Sequence, residues 1–344
     1  MQEQRSINEI IEQLRNYGVL EYKEINKKPV YVFKSPFPDT EMLKLYKSRP
    51  DNPKKLIPFS REFAEKLYEK IGFTVSSVPK WVYFEFNNRR FYMPSVNAKK
   101  IVISIALGMR PLIVGSYGTG KTTIAINLLW KAFDRAPVYV RVSGSPSRSE
   151  LFGEVDPLSV YFTMNALVES LKMNGYLNRE IHGVESFIGE LLMMLKYKYF
   201  AFSQVGLALY LNAPLVIDEV DKLSKQSLNM LGSLFQQEDP SLTIEGLGSI
   251  EANIPLIATS NTNVFDEFIL TRLREVYQPS LPQELLDDLL SQYGVDDEDI
   301  IAEIHSKYLE FQRKLGDGED IEGIPIRKLI YDALEKKLAK DVSF

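Results

Sequence analysis

The sequence predicts an α/β fold in three layers, with a parallel β-sheet covered by helices on both faces. Short apolar segments alternate with amphipathic segments from Pro111 onward, and a glycine-rich loop directly follows the first apolar segment. This alternation is typical of parallel sheets, because neighbouring parallel strands need a crossover that is usually a helix. The predicted strands are Leu112–Val114, Val138–Val142, Leu215–Ile217, Ile254–Ala258 and Val276–Tyr277.

The composition is that of a globular protein without a strong charge bias. The chain has 344 residues, with 41 basic and 46 acidic side chains and a formal net charge of -5. No overall cationic field therefore draws it onto nucleic acid or anionic lipid. Cysteine is absent, which excludes disulfides and thiolate metal sites and is typical of an intracellular protein. The start of the chain has no secretory signal pattern, and no segment approaches ~18 consecutive apolar residues. We therefore expect a cytoplasmic protein without a membrane span.

A phosphate-binding loop lies between the first predicted strand and the helix that begins near Lys121. Its glycines let the backbone curl until N–H groups face a β-phosphate, and the positive end of the following helix adds to this anion site. Lys121 is expected to bridge the β- and γ-phosphates, while the Thr122 hydroxyl is expected to hold magnesium. The predicted nucleotide-binding residues are Gly115, Ser116, Tyr117, Gly118, Thr119, Gly120, Lys121, Thr122 and Thr123.

Two acids end the third predicted strand, in the segment Leu215–Glu219. Desolvated carboxylates are costly unless a cation lies nearby, and magnesium supplies that cation. We expect Asp218 to orient the metal through its water shell and Glu219 to polarise the attacking water as general base. Without the phosphate loop, the same residues would also fit a strand that ends in a solvated acidic turn.

With these motifs in this order, the chain resembles the AAA+ ATPases over about residues 80–344. The resemblance implies ATP and Mg²⁺ as ligands, ATP hydrolysis, and assembly into a ring of six subunits. It makes Asn261 the sensor-1 residue that helps to orient the water near the γ-phosphate. It also makes Arg272 the arginine finger offered to a neighbouring subunit, with Arg274 in reserve, and Arg327 the sensor-2 arginine carried by the lid.

Two further segments are similar to the MoxR-like branch of the helix-2-insert clade. Residues 242–251 resemble the pre-sensor-1 hairpin, and residues 149–156 resemble the second-helix region of MoxR-type and McrB-like proteins. The segment between Asp156 and the strand that ends at Asp218 is longer than an ordinary loop, and an insertion in the second helix would account for it. The chain departs from the family at Ser116-Tyr117, where a proline is usual, and at Asp221-Lys222, where an Asn-Arg pair is common.

Three segments are predicted along the chain. Residues 1–78 form a small α+β region, in which a helix over Ile7–Tyr17 and a basic-tipped hairpin precede a proline-punctuated linker. Residues 79–279 form the nucleotide-binding core, and residues 280–344 form a helical lid. The helix and hairpin fit either a winged helix or a docking module.

The leading functional hypothesis is an ATP-driven remodeller or chaperone of a protein assembly. MoxR-like proteins often act with a von Willebrand factor A domain partner, so such an adaptor is a candidate partner. A nucleic-acid machine is the alternative, supported by the Lys27-Lys28 tip and the Arg89-Arg90 turn but not favoured, since such basic turns are usually ordinary surface. A nucleotide-gated scaffold with slow turnover is a third possibility.

Overall fold

The computed structural model describes most of the chain, and its contacts divide the chain into two compact units. The first unit comprises residues 1–38, 145–213 and 239–253, and the second comprises residues 39–144, 214–238 and 254–344. The predicted boundaries at residues 78 and 279 stay predictions. The described residues are 20–25, 28–33, 35, 37–48, 53–173, 200–236, 241–244, 248–263, 265, 267–316 and 325–342.

The described elements follow one another in this order. The strands are β1 (Leu20–Ile25), β2 (Lys28–Phe33), β3 (Thr74–Val75), β4 (Trp81–Phe86), β5 (Arg89–Pro94), β6 (Arg110–Val114), β7 (Val138–Arg141), β8 (Gly153–Val155), β9 (Phe200–Phe202), β10 (Leu215–Asp218), β11 (Ser241–Ile244), β12 (Gly248–Glu251), β13 (Leu256–Ser260) and β14 (Leu273–Tyr277). The helices are α1 (Glu41–Lys47), α2 (Pro53–Ile71), α3 (Ser95–Ala106), α4 (Lys121–Phe133), α5 (Arg148–Phe152), α6 (Pro157–Met173), α7 (Gln204–Tyr210), α8 (Lys225–Leu231), α9 (Glu267–Leu270), α10 (Gln283–Gln292), α11 (Glu298–Gly316) and α12 (Ile326–Asp341).

A five-stranded parallel sheet forms the centre of the second unit, in the order β14-β6-β13-β10-β7. All five predicted strands are present with shifted ends, and the predicted α/β fold is confirmed. The chain leaves β6 for the far edge at β7, returns through β10 and β13, and then passes β6 to reach β14. Ligands of such sheets bind where the strand order reverses, at the carboxyl ends. The carboxyl ends of β6, β13 and β10 therefore mark the place for a site.

Both faces of this sheet are buried. On one face, Ile113, Val216 and Ile257 belong to the same apolar core as the inner sides of α2, α3 and α4. The alternate residues Leu112 and Ala258 are paired across β6 and β13, point to the opposite face and are also fully buried. Strands buried on both faces lose the apolar–polar alternation, which is why they appear in the sequence as continuous apolar segments.

The predicted linker is wrong for the part of it that the structure describes. Helix α1 begins after Thr40, whose hydroxyl accepts a hydrogen bond from the Leu43 backbone N–H. Helix α2 begins at Pro53, in the first helical turn, where a missing N–H and a fixed φ angle do no harm. Pro53 therefore marks the start of a helix rather than an irregular linker.

The segment predicted to be a helical lid contains α10, α11 and α12, which share an apolar core separate from that of the sheet. Tyr92 of β5 is buried in this core, so the hairpin β4–β5 packs against the lid. Ion pairs join α11 to α12, with Lys307 Nζ 2.7 Å from Asp332 and Lys336 Nζ 2.6 Å from Glu303.

Antiparallel pairs make up the described strands of the first unit. Strands β1 and β2 form the predicted basic hairpin, and β11 and β12 form the hairpin predicted at residues 242–251. Strands β8 and β9 pair at the two ends of the segment predicted to be an insertion. The predicted helix Ile7–Tyr17 and the tip residue Lys27 lie outside the described residues.

Candidate functional site

The phosphate loop requires glycine at three positions, two because of the backbone conformation and one because of a close contact. Gly118 and Gly120 have φ angles of 80° and 83°, in the left-handed region that L side chains rarely adopt. Gly115 is required for a different reason, since a Cβ atom there would collide with the backbone carbonyl of Gln278. The loop therefore adopts a tight turn between β6 and α4, as the motif predicts.

Lys121 is the first residue of α4 and is 7% exposed. Its ammonium group donates to the carbonyl oxygens of Gly115 at 2.7 Å and Ser116 at 2.9 Å, and to Oδ1 of Asn261 at 2.9 Å. Burial lowers the pKa of Lys121, while neighbouring carboxylates, with Asp218 the strongest, act to raise it. The lysine thus lies in the loop with its donors directed to oxygen atoms that a phosphate could replace.

Asp218 ends β10 and is only 6% exposed. Oδ1 accepts the hydroxyl of Thr122 at 2.6 Å and also that of Thr259, while Oδ2 accepts the hydroxyl of Tyr139 at 2.9 Å. Burial, followed by the hydrogen bond to Asp218, raises the pKa of Tyr139 to about 12, so this hydroxyl stays a donor. Three hydroxyl groups satisfy a carboxylate that would otherwise be costly to bury.

Glu219 follows in the left-handed conformation, with a φ angle of 60°. Such backbone is uncommon for a residue other than glycine and is concentrated at functional sites. Arg141, at the end of β7, donates Nε and Nη2 to the two carboxylate oxygens at 2.8 and 2.9 Å. This hydrogen-bonded ion pair raises the pKa of Arg141. Both oxygens of the predicted general base are therefore occupied by one guanidinium group.

Asn261 follows β13 and faces Lys121. Its Oδ1 accepts from Lys121, while its backbone N–H donates to Oδ1 of Asp221 at 3.2 Å. The side-chain nitrogen Nδ2 is buried and has no hydrogen-bond partner in the described part of the chain. Buried donors are rarely left without an acceptor in the absence of a ligand, so this atom is suited to a phosphate oxygen or an ordered water.

These residues line one cavity of about 1010 Å³. Lys121, Thr122, Thr123, Asp218, Glu219 and Asn261 lie along its sheet side, together with Tyr117, Gly118, Thr119 and Gly120. The lid contributes Arg327, the second residue of α12, whose side chain is exposed within the same cavity. The sequence around Arg327, Gly323–Arg327, resembles the glycine and arginine spacing at the start of the sensor-2 helix, and its residues Gly323 and Ile324 lie outside the described residues.

The donor set of this cavity fits magnesium and a nucleotide. Thr122 and Asp218 offer oxygen atoms, the ligands that Mg²⁺ prefers, and they are already within 2.6 Å of each other. In the described ranges, no cluster of three or more histidine, aspartate or glutamate residues forms a separate metal site. The glycine turn, the buried lysine and the unsatisfied Nδ2 atom of Asn261 fit the phosphates.

Arg272 lies away from this cavity. Its Nη1 atom donates to the carbonyl oxygen of Gly232 at 2.9 Å. It precedes Leu273, which pairs with Arg110 at the start of β6, whereas the phosphate loop follows the end of β6. The two ends of this strand are separated by roughly 13 Å at ~3.3 Å per residue. Arg274 is exposed on the edge strand β14.

The turn of the hairpin β4–β5 contacts the lid at the other end of the cavity. Arg90 donates Nη1 to Asp288 at 2.6 Å, and its backbone N–H donates to Oε1 of Gln292 at 2.6 Å. The Arg89 guanidinium lies 5.3 Å from the centre of the Tyr293 ring. The basic turn therefore contacts the predicted lid through both arginines. It adds no support to the nucleic-acid alternative.

Two side chains of this site, Tyr139 and Arg141, are not predicted by any motif in the sequence. They are two residues apart on β7, so they point to the same face of the sheet. The strand register then sets Tyr139 beside Val216 and Arg141 beside Asp218. The available signal was the polar side chains in an otherwise apolar strand, which a surface strand would also explain.

Comparisons with known proteins add little to this geometry. No protein-family model matches the chain, and no curated protein matches it. Among solved structures, it is similar to a chain of the closed-state cryo-electron-microscopy reconstruction of Hsp104 with ATPγS and FITC casein. The identity is 17%, the TM-score is 0.42, and the match covers 87% of this chain and 50% of that chain, so this chain spans about half the length of its neighbour. A likeness this distant carries no argument about family or activity.

A membrane-spanning helix is not found in the part of the chain that the structure describes, because none of its helices combines the necessary length with sufficient apolar character.

Proposed function

We propose that this chain is an AAA+ ATPase that binds and hydrolyses MgATP in the cavity between the sheet and the lid. The observation that carries the proposal is the convergence of Lys121, the Thr122–Asp218 pair, Glu219 and Asn261 on one cavity. These are the groups that phosphoryl transfer needs, since it depends on positioning and charge neutralisation rather than on covalent catalysis.

Nucleotide binding would begin with Lys121. Its ammonium group exchanges the loop carbonyl oxygens for β- and γ-phosphate oxygens, which compensates the cost of its burial. Thr122 and Asp218 would hold the magnesium ion, Thr122 as a direct ligand and Asp218 through water. When bound, the ion neutralises charge on the phosphates.

Hydrolysis would depend on Glu219 and Asn261. Glu219 accepts a proton from the attacking water, and to do so it has to exchange at least one of its two hydrogen bonds to Arg141. The Nδ2 atom of Asn261 donates to the water or to the γ-phosphate, which gives this buried donor its acceptor. Arg327 approaches the γ-phosphate from the lid.

A ring is proposed from the position of the remaining arginine. Arg272 directly precedes the amino end of β14, whereas the cavity lies at the carboxyl ends of the strands. Arg272 is therefore poorly placed to contact a nucleotide bound in its own subunit. A neighbouring subunit can use it instead, as the resemblance implies, with Arg274 as the reserve. In such an assembly each nucleotide is sensed by two subunits.

The finer proposal is a MoxR-like remodeller of a protein assembly, in a ring of six subunits. It is supported by the resemblance of residues 149–156 and by the hairpin β11–β12, which resembles the pre-sensor-1 element. These elements would engage the client, directly or through a von Willebrand factor A domain adaptor. A protein client is preferred to DNA because the net charge is -5 and because Arg90, one of the basic residues on which the alternative depends, is paired with Asp288.

Two variants test the activity. Lys121→Ala is expected to lose most of its affinity for a fluorescent ATP analogue, because the positive charge at the phosphates is removed. Glu219→Gln is expected to bind the analogue normally and to hydrolyse ATP about 10²- to 10⁴-fold more slowly. Lys100→Ala is the control, since Lys100 is exposed on α3 and does not line the cavity. Hydrolysis at the parent rate in both Lys121→Ala and Glu219→Gln would exclude this assignment.

A further inference from the structure

The Asp218 carboxylate is held unequally at its two oxygen atoms. Oδ1 accepts hydrogen bonds from the hydroxyls of Thr122, in the predicted nucleotide site, and of Thr259, on the neighbouring strand β13. Oδ2 accepts from one donor among the described residues, the hydroxyl of Tyr139 at 2.9 Å. Tyr139 therefore adds the contact on the second oxygen that, together with the two hydroxyls on Oδ1, fixes the carboxylate plane.

Strand register explains how a tyrosine reaches this position. Tyr139 pairs with Val216 and Arg141 pairs with Asp218, so Tyr139 and Asp218 are diagonal neighbours on the same face. With strands ~4.8 Å apart and a rise of ~3.3 Å per residue, such neighbours are roughly 8 Å apart at Cα, a distance that an aromatic side chain can span. A shorter hydroxyl side chain at position 139 would not reach Oδ2.

Packing alone does not account for the side chain. Tyr139 is 39% exposed, lies on the edge strand of the sheet and lines the cavity. Only part of the ring surface is covered, whereas the hydroxyl makes a hydrogen bond to a carboxylate, which is among the stronger kinds.

We propose that Tyr139 is a positioning residue for the magnesium ion of the nucleotide site. Its hydroxyl fixes Oδ2 of Asp218, which keeps Oδ1 directed at Thr122 and at the place where the cation is held. Without the hydroxyl, the carboxylate rotates about its broad terminal torsion and presents its oxygens less often in the binding geometry. This inference rests on the proposed function.

Groups that orient metal ligands are worth a measurable part of the affinity. Loss of a partner of a direct metal ligand typically weakens metal binding by about 10- to 100-fold. Because Asp218 acts on the ion through water and keeps its hydrogen bonds to Thr122 and Thr259, the lower end of this range is expected here. Phosphate contacts made by Lys121 and the loop do not involve Tyr139, so nucleotide affinity without metal is expected to stay unchanged.

The test compares Tyr139→Phe with the parent chain. Binding of a fluorescent ADP analogue is measured in the presence of a chelator, and binding of Mn²⁺ to the nucleotide complex is measured by electron paramagnetic resonance. Tyr139→Phe is expected to bind the analogue as the parent does and to bind Mn²⁺ about 10-fold more weakly. Tyr68→Phe is the matched control. Tyr68 lies on α2, its ring packs against Phe73, and it does not line the cavity, so this change removes a hydroxyl elsewhere in the protein.

Two results would overturn the inference while leaving the proposed function intact. The first is an unchanged Mn²⁺ affinity in Tyr139→Phe. The second is a parallel loss of metal-free nucleotide affinity, which would indicate general distortion of the site. A parent chain that binds neither the analogue nor Mn²⁺ with nucleotide would instead overturn the proposed function, and this inference with it.

Discussion

Replacing Arg141 by alanine is expected to raise the basal rate of ATP hydrolysis. The guanidinium group of Arg141 occupies both carboxylate oxygens of Glu219, at 2.8 and 2.9 Å. A carboxylate whose two oxygens both accept hydrogen bonds from a guanidinium group has fewer lone pairs accessible to water. In Arg141→Ala, Glu219 keeps its place at the end of β10 but loses this competitor.

Exposure limits the size of this effect. The Arg141 side chain is 65% exposed while that of Glu219 is 16% exposed, so water screens much of the attraction. Exposed ion pairs are weak, and their loss corresponds to a change in rate of roughly two- to fivefold if the whole effect reaches the transition state. A larger increase would mean that Arg141 restrains more than the carboxylate.

The assay is steady-state phosphate release at saturating ATP, with nucleotide affinity measured in parallel. Arg141→Lys is the control, because an ammonium group keeps the charge but cannot form the forked contact with both oxygens. Its rate is expected to fall between those of the parent and Arg141→Ala. An equal or lower rate in Arg141→Ala, with unchanged nucleotide affinity, would refute the idea that this pair restrains the base.

Two further predictions concern the loop and the ring. Gly115→Ala is expected to lower the free energy of unfolding by about 1–3 kcal/mol and to weaken nucleotide binding, because the added Cβ atom collides with the backbone carbonyl of Gln278. Chemical denaturation measures the change in stability, and an unchanged midpoint of unfolding would contradict this prediction. Arg272→Ala and Lys121→Ala are each expected to be inactive alone but to recover part of the hydrolysis when mixed, because the mixture forms interfaces with one intact site and one intact arginine. Recovery is followed by phosphate release against the mixing ratio, and its absence, with mixed rings verified by native mass spectrometry, would argue against an arginine shared between subunits.

Sequence alone is sufficient where a motif specifies both the residue and its place on an element. The phosphate loop requires a strand before it and a helix after it, so its pattern assigns Lys121 and Thr122 to the start of that helix. Asp218 is assigned to the end of a buried strand by the apolar residues that precede it. The phosphate loop and Asp218 follow the carboxyl ends of parallel strands in the same sheet. The Thr122 hydroxyl at the start of α4 therefore lies 2.6 Å from Oδ1 of Asp218.

Long-range register is what the sequence could not supply. Tyr139 and Arg141 act on the two acids because β7 lies beside β10, and that neighbour relation depends on the order of all five strands. The prediction for the proline-punctuated segment is wrong for a local reason, since Pro53 occupies the first turn of a helix, where proline is well tolerated. The basic turn at Arg90 is ambiguous in the sequence because its partner, Asp288, is distant in the chain.

The bond between Arg90 and Asp288 also bears on how the protein is made. The two residues are 198 positions apart, so the second one leaves the ribosome long after the hairpin and the phosphate loop. Domains tend to fold as they emerge, in order from the amino terminus. A nascent chain that has completed the sheet would therefore still lack one wall of the candidate nucleotide cavity, and the proposed ATP affinity would be complete only after the helices that follow the sheet have been synthesised.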